Sequence, residues 1–422
     1  MSDVTPARRV AYAVIRRVFE KGAYADRALH GEAKGLDARE RSLAMQLAYG
    51  TVQRKLTLDH FVEQLARPAG ELDPPTLAAL RLGLYQLVFL DGVAAHAAVG
   101  ESVELAKGGR SGGHKLVNAV LRRAARGELP ALPSDETAAG AAVAHSYPVW
   151  LVELWWERFG PDETRALLRA GNEPGELALR VNTLRSTPAD VSAALAELAP
   201  AVNVRAAGDE LPEGLVVQGA FDAHGHPLYS QGAYTAQSRA AMLVARAVDP
   251  QPGERVLDLC AAPGGKTTHL AALMGDSGEI VAVERHAGRA RALARSCERM
   301  GAASVRVVTA DAARFSAGEQ FDRALVDPPC SGLGTLQGHP DLRWRMTPEA
   351  VERLARGQAA ILEAARAAVR PGGRIIYATC TLSPAENEQL LARSGLSIDS
   401  ERLVLPHRDR TDGFYIARLS SP

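Results

Sequence analysis

The stretch Arg255-Val256-Leu257-Asp258-Leu259-Cys260-Ala261-Ala262-Pro263-Gly264-Gly265-Lys266-Thr267 begins as a short apolar run. It turns through small residues and glycines and enters a helix predicted around Thr267–Leu273. A strand that enters a helix through a tight turn is the repeating unit of a parallel sheet. The unit recurs outward from here. Glu279–Val283 leads into a helix at Gly288–Met300, and Val305–Val308, Arg323–Val326 and Gly373–Tyr377 follow as further strands. Residues 241–422 therefore read as a Rossmann-like α/β domain, a parallel doubly wound sheet with helices packed on it.

Gly265-Lys266-Thr267 looks like the end of a phosphate loop, but such a loop needs a glycine five residues before Gly265, where Cys260 stands. The spacing G-x-G-x-x-G of a dinucleotide binder is missing as well. What remains is a turn of small residues that lets the body of a cofactor approach the backbone closely. Acidic residues mark the ends of successive strands: Glu284 ends the second, Asp311 follows the third and Asp327 ends the fourth. Ligands of open sheets bind outside the carboxyl ends of the strands. Glu284 is thus placed to accept both hydroxyls of a ribose, and Asp311 to meet an adenine amine. A single strand-end acid is about as often a helix cap; three at matched positions point to an adenosine-type cofactor.

Cys297 falls on a predicted helix and Cys260 in the turn, where each reads as a small structural side chain. Cys330 and Cys380 differ. Asp327-Pro328-Pro329-Cys330 places a thiol where many amino-group methyltransferases have an aromatic that stacks on the base. Tyr377-Ala378-Thr379-Cys380-Thr381 places another at the end of the next long strand. Strand order in such a sheet would bring both turns to one rim. The pair suits methylation of a pyrimidine carbon, which is a poor nucleophile by itself. A thiolate adding to the adjacent ring carbon makes an enamine-like intermediate able to take a methyl group from a sulfonium donor. The proton on the methylated carbon then leaves and the thiol is expelled. One cysteine supplies the nucleophile, and a second group helps the product leave. Lys266 is placed to supply the positive charge that favours a thiolate. Asp327 is placed to bond the pyrimidine's amine and ring nitrogen, selecting cytosine over uracil.

The rest of the chain is organised differently. Apolar residues recur at helical spacing in Ala11-Tyr12-Ile15-Val18-Phe19, in Leu43-Leu47-Tyr49-Val52 and in Val117-Val120-Leu121, with Gly70, Pro74-Pro75 and Gly108-Gly109 between such stretches. Residues 1–130 are accordingly predicted to form an all-α domain. Residues 131–145 hold few large apolar side chains and are expected to be a linker. Residues 146–240 begin with an amphipathic helix at Tyr147–Gly160. Strands at Leu177–Val181, Val202–Ala206 and Leu215–Gln218 follow around a helix at Ala189–Leu198, which predicts a small α/β subdomain.

A chain of 422 residues exceeds one ordinary core, and 46% hydrophobic with 23% charged residues is the balance of a soluble multidomain protein. No apolar run approaches the roughly 20 residues of a membrane span, and no signal-peptide core opens the chain. A cytoplasmic protein without a membrane partner is expected. Neither a C-x-x-C pair nor a His cluster suggests a metal. Net charge is zero, yet residues 1–130 hold 19 Lys/Arg against 14 Asp/Glu. That excess fits contact with phosphate as well as it fits an ordinary solvated helical surface.

Asp258–Thr267, Asp327–Gly332 and Ala378–Glu388 (ATCTLSPAENE) closely resemble the motifs of RNA 5-methylcytosine methyltransferases. With Arg180-Val181-Asn182-Thr183 and Asp412-Gly413-Phe414-Tyr415, the resemblance runs from about residue 146 to the end. The first 130 residues resemble the NusB antitermination domain, most clearly at Val117-Asn118-Ala119-Val120-Leu121-Arg122. That combination is similar to the bacterial Sun/Fmu (RsmB) family, which methylates a cytosine of small-subunit (16S) ribosomal RNA.

The resemblance implies that Cys380 is the nucleophile and that Cys330 assists release. DNA cytosine methyltransferases use the Pro-Cys thiol as nucleophile instead, so two thiols point to RNA. It implies S-adenosylmethionine as cofactor, with contacts at Cys260, Ala261, Ala262, Pro263, Gly264, Gly265, Lys266, Glu284, Asp311 and Asp327. The partner implied is 16S ribosomal RNA presenting an unstacked cytosine from a loop or bulge. A monomer is expected. The sequence departs from the family at Glu284, where Asp is commoner, and at Leu336-Gln337-Gly338-His339-Pro340-Asp341, which lacks an arginine pair before His-Pro-Asp. A basic RNA contact is expected to be missing there. Two other readings stay open: the same chemistry on transfer RNA, and a non-catalytic, antitermination-like RNA-binding protein.

Overall fold

A computed structural model describes residues 4–66, 72–109, 112–199, 201–219, 221–316, 318 and 320–420. Gly70, expected between two helices, lies outside the described residues. The chain divides into two compact units, one of Met1–Glu173 with Leu336–Arg345, the other of Pro174–Thr335 with Met346–Pro422.

The first unit is helical. Its longer helices are Pro6–Lys21, Ala38–Gln53, Lys55–Leu65, Pro74–Phe89, Ala95–Ala106 and Gly113–Ala125, followed by Val149–Phe159 and Pro161–Ala170. Helix starts follow local chemistry. Proline opens Pro6–Lys21 and Pro74–Phe89, where its missing N–H costs nothing. The Asp37 carboxylate accepts from the Glu40 N–H at 2.8 Å. The stripes read from the sequence meet in one core, with Ile15, Leu47, Val52, Val117, Val120 and Leu121 buried beside Leu58, Leu80 and Leu84.

Residues 131–145 are not merely a linker. They end in a helix, Ala138–His145, whose Ala141 and Ala142 are fully buried. The segment Ala-Ala-Gly-Ala-Ala-Val-Ala-His has no large apolar side chain to make a stripe, so its helical period is nearly silent in the sequence. Leu336–Arg345 packs in this unit as well. The buried Arg343 guanidinium donates to the Gly171 carbonyl at 2.6 Å and to Asn172 Oδ1 at 2.8 Å. Trp344 Nε1 donates to the Val52 carbonyl, and Gln337 Nε2 to the Ala170 carbonyl, each at 2.7 Å. The stretch around His339-Pro340-Asp341 thus commits polar groups to the helical packing.

The second unit holds two sheets. The small one contains β1 (Leu177–Val181), β2 (Asn203–Ala206), β3 (Gly214–Gln218) and β4 (Tyr234–Ala236) in the order β2-β3-β1-β4, every pair antiparallel. The large sheet contains β5 (Arg255–Leu259), β6 (Glu279–Glu284), β7 (Val305–Thr309), β8 (Phe321–Val326), β9 (Val369–Thr379), β10 (Ser397–Val404) and β11 (Phe414–Ser420). Its order is β10-β11-β9-β8-β5-β6-β7. Strands β5 to β9 run parallel, while β11 is antiparallel to β9 and β10 to β11. The strand–helix alternation predicted the parallel part and not this edge pair.

Alternate residues face opposite sides. Val256, Ile280 and Ala282 share a core with Val244 and Leu270, whereas Leu257, Val281 and Val283 pack with Ile361, Leu362 and Ala365 of the helix Pro348–Ala368. The chain moves outward from β5 through β6 to β7, then crosses back to β8 on the other side of β5. Ligands of such sheets bind at that reversal, outside the carboxyl ends of the strands.

Candidate active site

At the end of β5 the backbone turns sharply. Cys260 has φ +80° and Gly264 has φ +106°. A Cβ on Gly264 would lie 2.9 Å from Leu293, so this turn needs glycine for its conformation and for space. The Cys260 and Ala261 N–H groups donate to the Val283 carbonyl at 3.1 and 2.9 Å, which pins the turn to the end of β6. Arg289 donates to the Ala262 carbonyl at 2.7 Å. Beneath the turn Asp258 is buried and accepts from Thr267 Oγ1 at 2.7 Å. Burial pushes the Asp258 carboxyl up to about 7. This turn of small residues leads directly into the helix Gly265–Leu273.

The three acids stand at or beyond the carboxyl ends of β6, β7 and β8. Glu284 is buried, accepts from the His286 N–H at 2.8 Å and lies 3.4 Å from Arg289. Asp311 is more exposed and caps the short turn after β7, accepting from the Ala313 N–H at 3.2 Å. Asp311 therefore acts as a cap, with its Oδ2 4.0 Å from Arg285 Nε. Asp327 lies beyond β8, with Lys266 Nζ 2.7 Å from its Oδ2. Burial pulls the Lys266 ammonium down, but the charge of Asp327, its hydrogen bond and the sulfur of Cys380 outweigh that and leave it raised. The same ammonium lies 5.3 Å from the centre of the Phe414 ring.

Because β8 and β9 are parallel neighbours, their ends carry the two cysteines to one place. Cys330 Sγ lies 3.1 Å from Cys380 Sγ. The hydrogen bond to Cys380, then burial, push the Cys330 thiol well above its ordinary value, so it keeps its proton. Burial raises Cys260 and Cys297 to about 12 each. Lys266, Asp327, Cys330 and Cys380 are thus brought together, while Glu284 and Asp311 stand at the ends of β6 and β7.

A buried network holds the two cysteine turns, and the sequence did not announce it. Ser331 Oγ and Thr381 Oγ1, each next to a cysteine, are 2.7 Å apart. Glu386 accepts from the Ser331 N–H at 2.9 Å, from the Ser331 hydroxyl, and from Gln358 Nε2 at 2.8 Å. Burial raises the Glu386 carboxyl against these bonds. Asn387 accepts from Thr379 Oγ1 at 2.6 Å and donates to the Thr381 carbonyl at 3.0 Å. The crowding of Thr379, Thr381, Ser383, Glu386 and Asn387 after an apolar strand was a usable signal. Gln358, in the middle of a helix, gave none.

Among the described residues no helix is long and apolar enough to cross a membrane. No group of three or more His, Cys, Asp or Glu is arranged there to hold a metal ion.

Comparison with known proteins gives three family matches. Residues 245–420 match the family described as 16S rRNA methyltransferase RsmB/F, residues 5–126 the NusB family, and residues 147–224 the ferredoxin-like domain of RsmF/B-like methyltransferases. A Synechocystis sp. protein, named a probable ribosomal RNA small subunit methyltransferase B, is 39% identical across 98% of this chain and 99% of its own. The ribosomal RNA small subunit methyltransferase B of Vibrio cholerae is 32% identical across 98% of this chain and 97% of its own. The crystal structure of PH0851 superposes with a TM-score of 0.83 at 26% identity, over 99% of each chain. NSun6 from Pyrococcus horikoshii with SFG, at 24% identity and a TM-score of 0.59 over 64% of this chain and 97% of that one, shares the fold. With its small-residue turn, strand-end acids and helical first unit, the chain belongs to the ribosomal RNA small subunit methyltransferase B family, and S-adenosylmethionine is its cofactor.

Proposed function

We propose that this protein methylates carbon 5 of a cytosine in 16S ribosomal RNA through a covalent Cys380–cytosine intermediate. The observation that carries the reading is the pair of sulfurs 3.1 Å apart, beside an ion pair of Lys266 and Asp327 at 2.7 Å. S-adenosylmethionine supplies an electrophilic methyl group when bound. The turn Cys260, Ala261, Ala262, Pro263, Gly264 and Gly265 gives it a close backbone surface, Glu284 accepts the ribose hydroxyls and Asp311 meets the adenine amine.

The protein's own groups do the rest. Asp327 accepts the exocyclic amine of the base, a contact uracil lacks. The thiolate of Cys380, favoured by the Lys266 ammonium, adds to carbon 6 and makes carbon 5 nucleophilic. After carbon 5 is methylated, its proton passes to solvent, the C5–C6 double bond re-forms and the bond from carbon 6 to sulfur breaks. Cys380 leaves as a thiolate, and the Cys330 S–H stands ready to stabilise it. The target cytosine must be unstacked to meet both sulfurs, so a loop or bulge is the substrate. The protein acts as a monomer.

The test is transfer of labelled methyl from S-adenosylmethionine to unmodified 16S ribosomal RNA, with the nucleosides then separated. Label in 5-methylcytidine is expected. Label found only after incubation with transfer RNA would keep the chemistry and overturn the substrate, and label in no RNA would overturn both.

A further inference from the structure

Beside the start of the helix Gly265–Leu273 lies a polar side chain that the thiol chemistry does not use. Gln237 is 9% exposed, and neither its Nε2 nor its Oε1 has a partner among the described residues. Buried polar groups in native proteins are nearly always bonded, so a carboxamide with both ends free is open to a ligand. Strand register fixes which way it faces. Arg180 stands opposite Thr235 in the β1–β4 pair, and the Gln237 N–H donates to the Ala178 carbonyl at 3.0 Å, continuing that pairing. Gln237 is two residues beyond Thr235, so it shares a sheet face with Arg180.

That face meets the cofactor turn. Arg180 Nη2 donates to Thr268 Oγ1 at 2.8 Å, and Thr268 Oγ1 donates to the Gly264 carbonyl at 2.7 Å. Arg180 is fully buried, and its Nε and Nη1 also have no partner among the described residues. A Cβ added to Gly265 would meet only Cδ and Oε1 of Gln237, each at 3.9 Å. The carboxamide therefore looks across open space at the first turn of the helix. Gly264 is its N-cap, and no side chain caps the helix, which leaves first-turn N–H groups free for an anion.

We infer that this space takes the α-amino-acid end of S-adenosylmethionine, with Gln237 as the residue that recognises it. The match is chemical. An α-amino acid carries a carboxylate and an ammonium on one carbon. The carboxylate accepts from Gln237 Nε2 and from the helix N–H groups, in the positive field of the helix end and the buried Arg180. The ammonium donates to Gln237 Oε1, which can only accept. A phosphate of the RNA would satisfy the donors but leave that oxygen unused. The inference rests on the cofactor and not on the cytosine chemistry, so the two fail separately.

Calorimetric titration of the full chain with two nucleosides tests it. S-adenosylhomocysteine carries the amino-acid end and 5′-methylthioadenosine lacks it. Gln237→Ala and the near-isosteric Gln237→Met are each expected to weaken S-adenosylhomocysteine roughly ten- to hundredfold, the usual effect of losing hydrogen bonds to charged groups. Binding of 5′-methylthioadenosine is expected to stay unchanged. Equal weakening of both nucleosides, or of neither, overturns the assignment. Loss of RNA affinity with S-adenosylhomocysteine binding intact overturns it as well and gives the space to a phosphate.

Discussion

At the scale of the residue, two sulfurs 3.1 Å apart must do different work, and their surroundings separate them. Cys330 is held protonated by its bond to Cys380 and by burial. Cys380 is the sulfur that interacts electrostatically with Lys266. Replacing each one should therefore give opposite failures. Cys380→Ala is expected to cut methyl transfer on the order of 10⁴-fold or more, as loss of a nucleophile does, with S-adenosylhomocysteine binding kept and no adduct formed. Cys330→Ala should still attack the base but release it poorly, so an RNA–protein adduct that survives denaturation accumulates on a gel. The reverse pattern would exchange the two roles. These four residues, Lys266, Asp327, Cys330 and Cys380, could be picked out from sequence because each is a reactive type at the end of a strand, in the turn after it or at the start of the helix that follows. Gln237 and Gln358 could not. Glu386 meets Gln358 across 28 residues of chain, and no local pattern marks either as the other's partner.

At the scale of the element, three turns meet behind the thiols. The Gly334 N–H donates to the Cys380 carbonyl at 2.9 Å, and the Gly413 N–H donates to the Gly334 carbonyl at 2.7 Å. The turn after β8, the end of β9 and the loop before β11 are thus tied through backbone alone. A Cβ on Gly334 would lie 2.0 Å from the Gly413 carbonyl oxygen, a clash with main chain that no rotamer relieves. Gly334→Ala should therefore separate the turns. A loss of about 1–3 kcal/mol in stability is expected from overpacking. Transfer should fall by roughly 10²-fold, the scale on which small misplacements of reacting groups act. Binding of S-adenosylhomocysteine should persist, because the cofactor turn is a different segment. Normal transfer in a folded variant would mean that this junction does not set the spacing of the sulfurs. The sequence showed the motif around Gly413 without showing why a glycine stands there. It showed the strands that lead into helices, and it missed β10 and β11, which form an antiparallel edge with no following helix to complete the pattern. Ser397–Val404 is exposed along most of its length, so it lacks the apolar alternation that marks a strand.

At the scale of the whole molecule, the second unit buries two titrating groups whose effects on stability oppose each other. His269 is fully enclosed against Glu213, with Nε2 2.7 Å from its Oε1, and with Arg180 and Arg246 nearby. Burial, helped by the two guanidiniums, lowers the imidazole to about 4. A histidine depressed on folding binds a proton more readily in the unfolded chain, so stability is lost as pH falls from about 6.5 to that value. Asp258 works the other way. Its neighbours are Thr267, Asp327 and Lys266, and burial raises it to about 7, so ionisation above its unfolded value of about 3.9 favours unfolding as pH rises. At about 1.4 kcal/mol for each pH unit of displacement, each group is worth about 3–4 kcal/mol, with opposite sign across much the same range. The slopes of these two groups oppose each other between about pH 4.5 and 6.5. Single replacements uncover them. Asp258→Asn keeps an acceptor for Thr267 and leaves the histidine alone, so the melting temperature should climb with pH across that window. His269→Gln keeps a donor for Glu213 and leaves the aspartate alone, so the melting temperature should fall with rising pH. Parallel curves for all three proteins would show that neither buried group titrates on unfolding. Opposite slopes in the two variants would show that the second unit balances a protonated acid under its cofactor turn against a neutral imidazole on the helix that follows the turn.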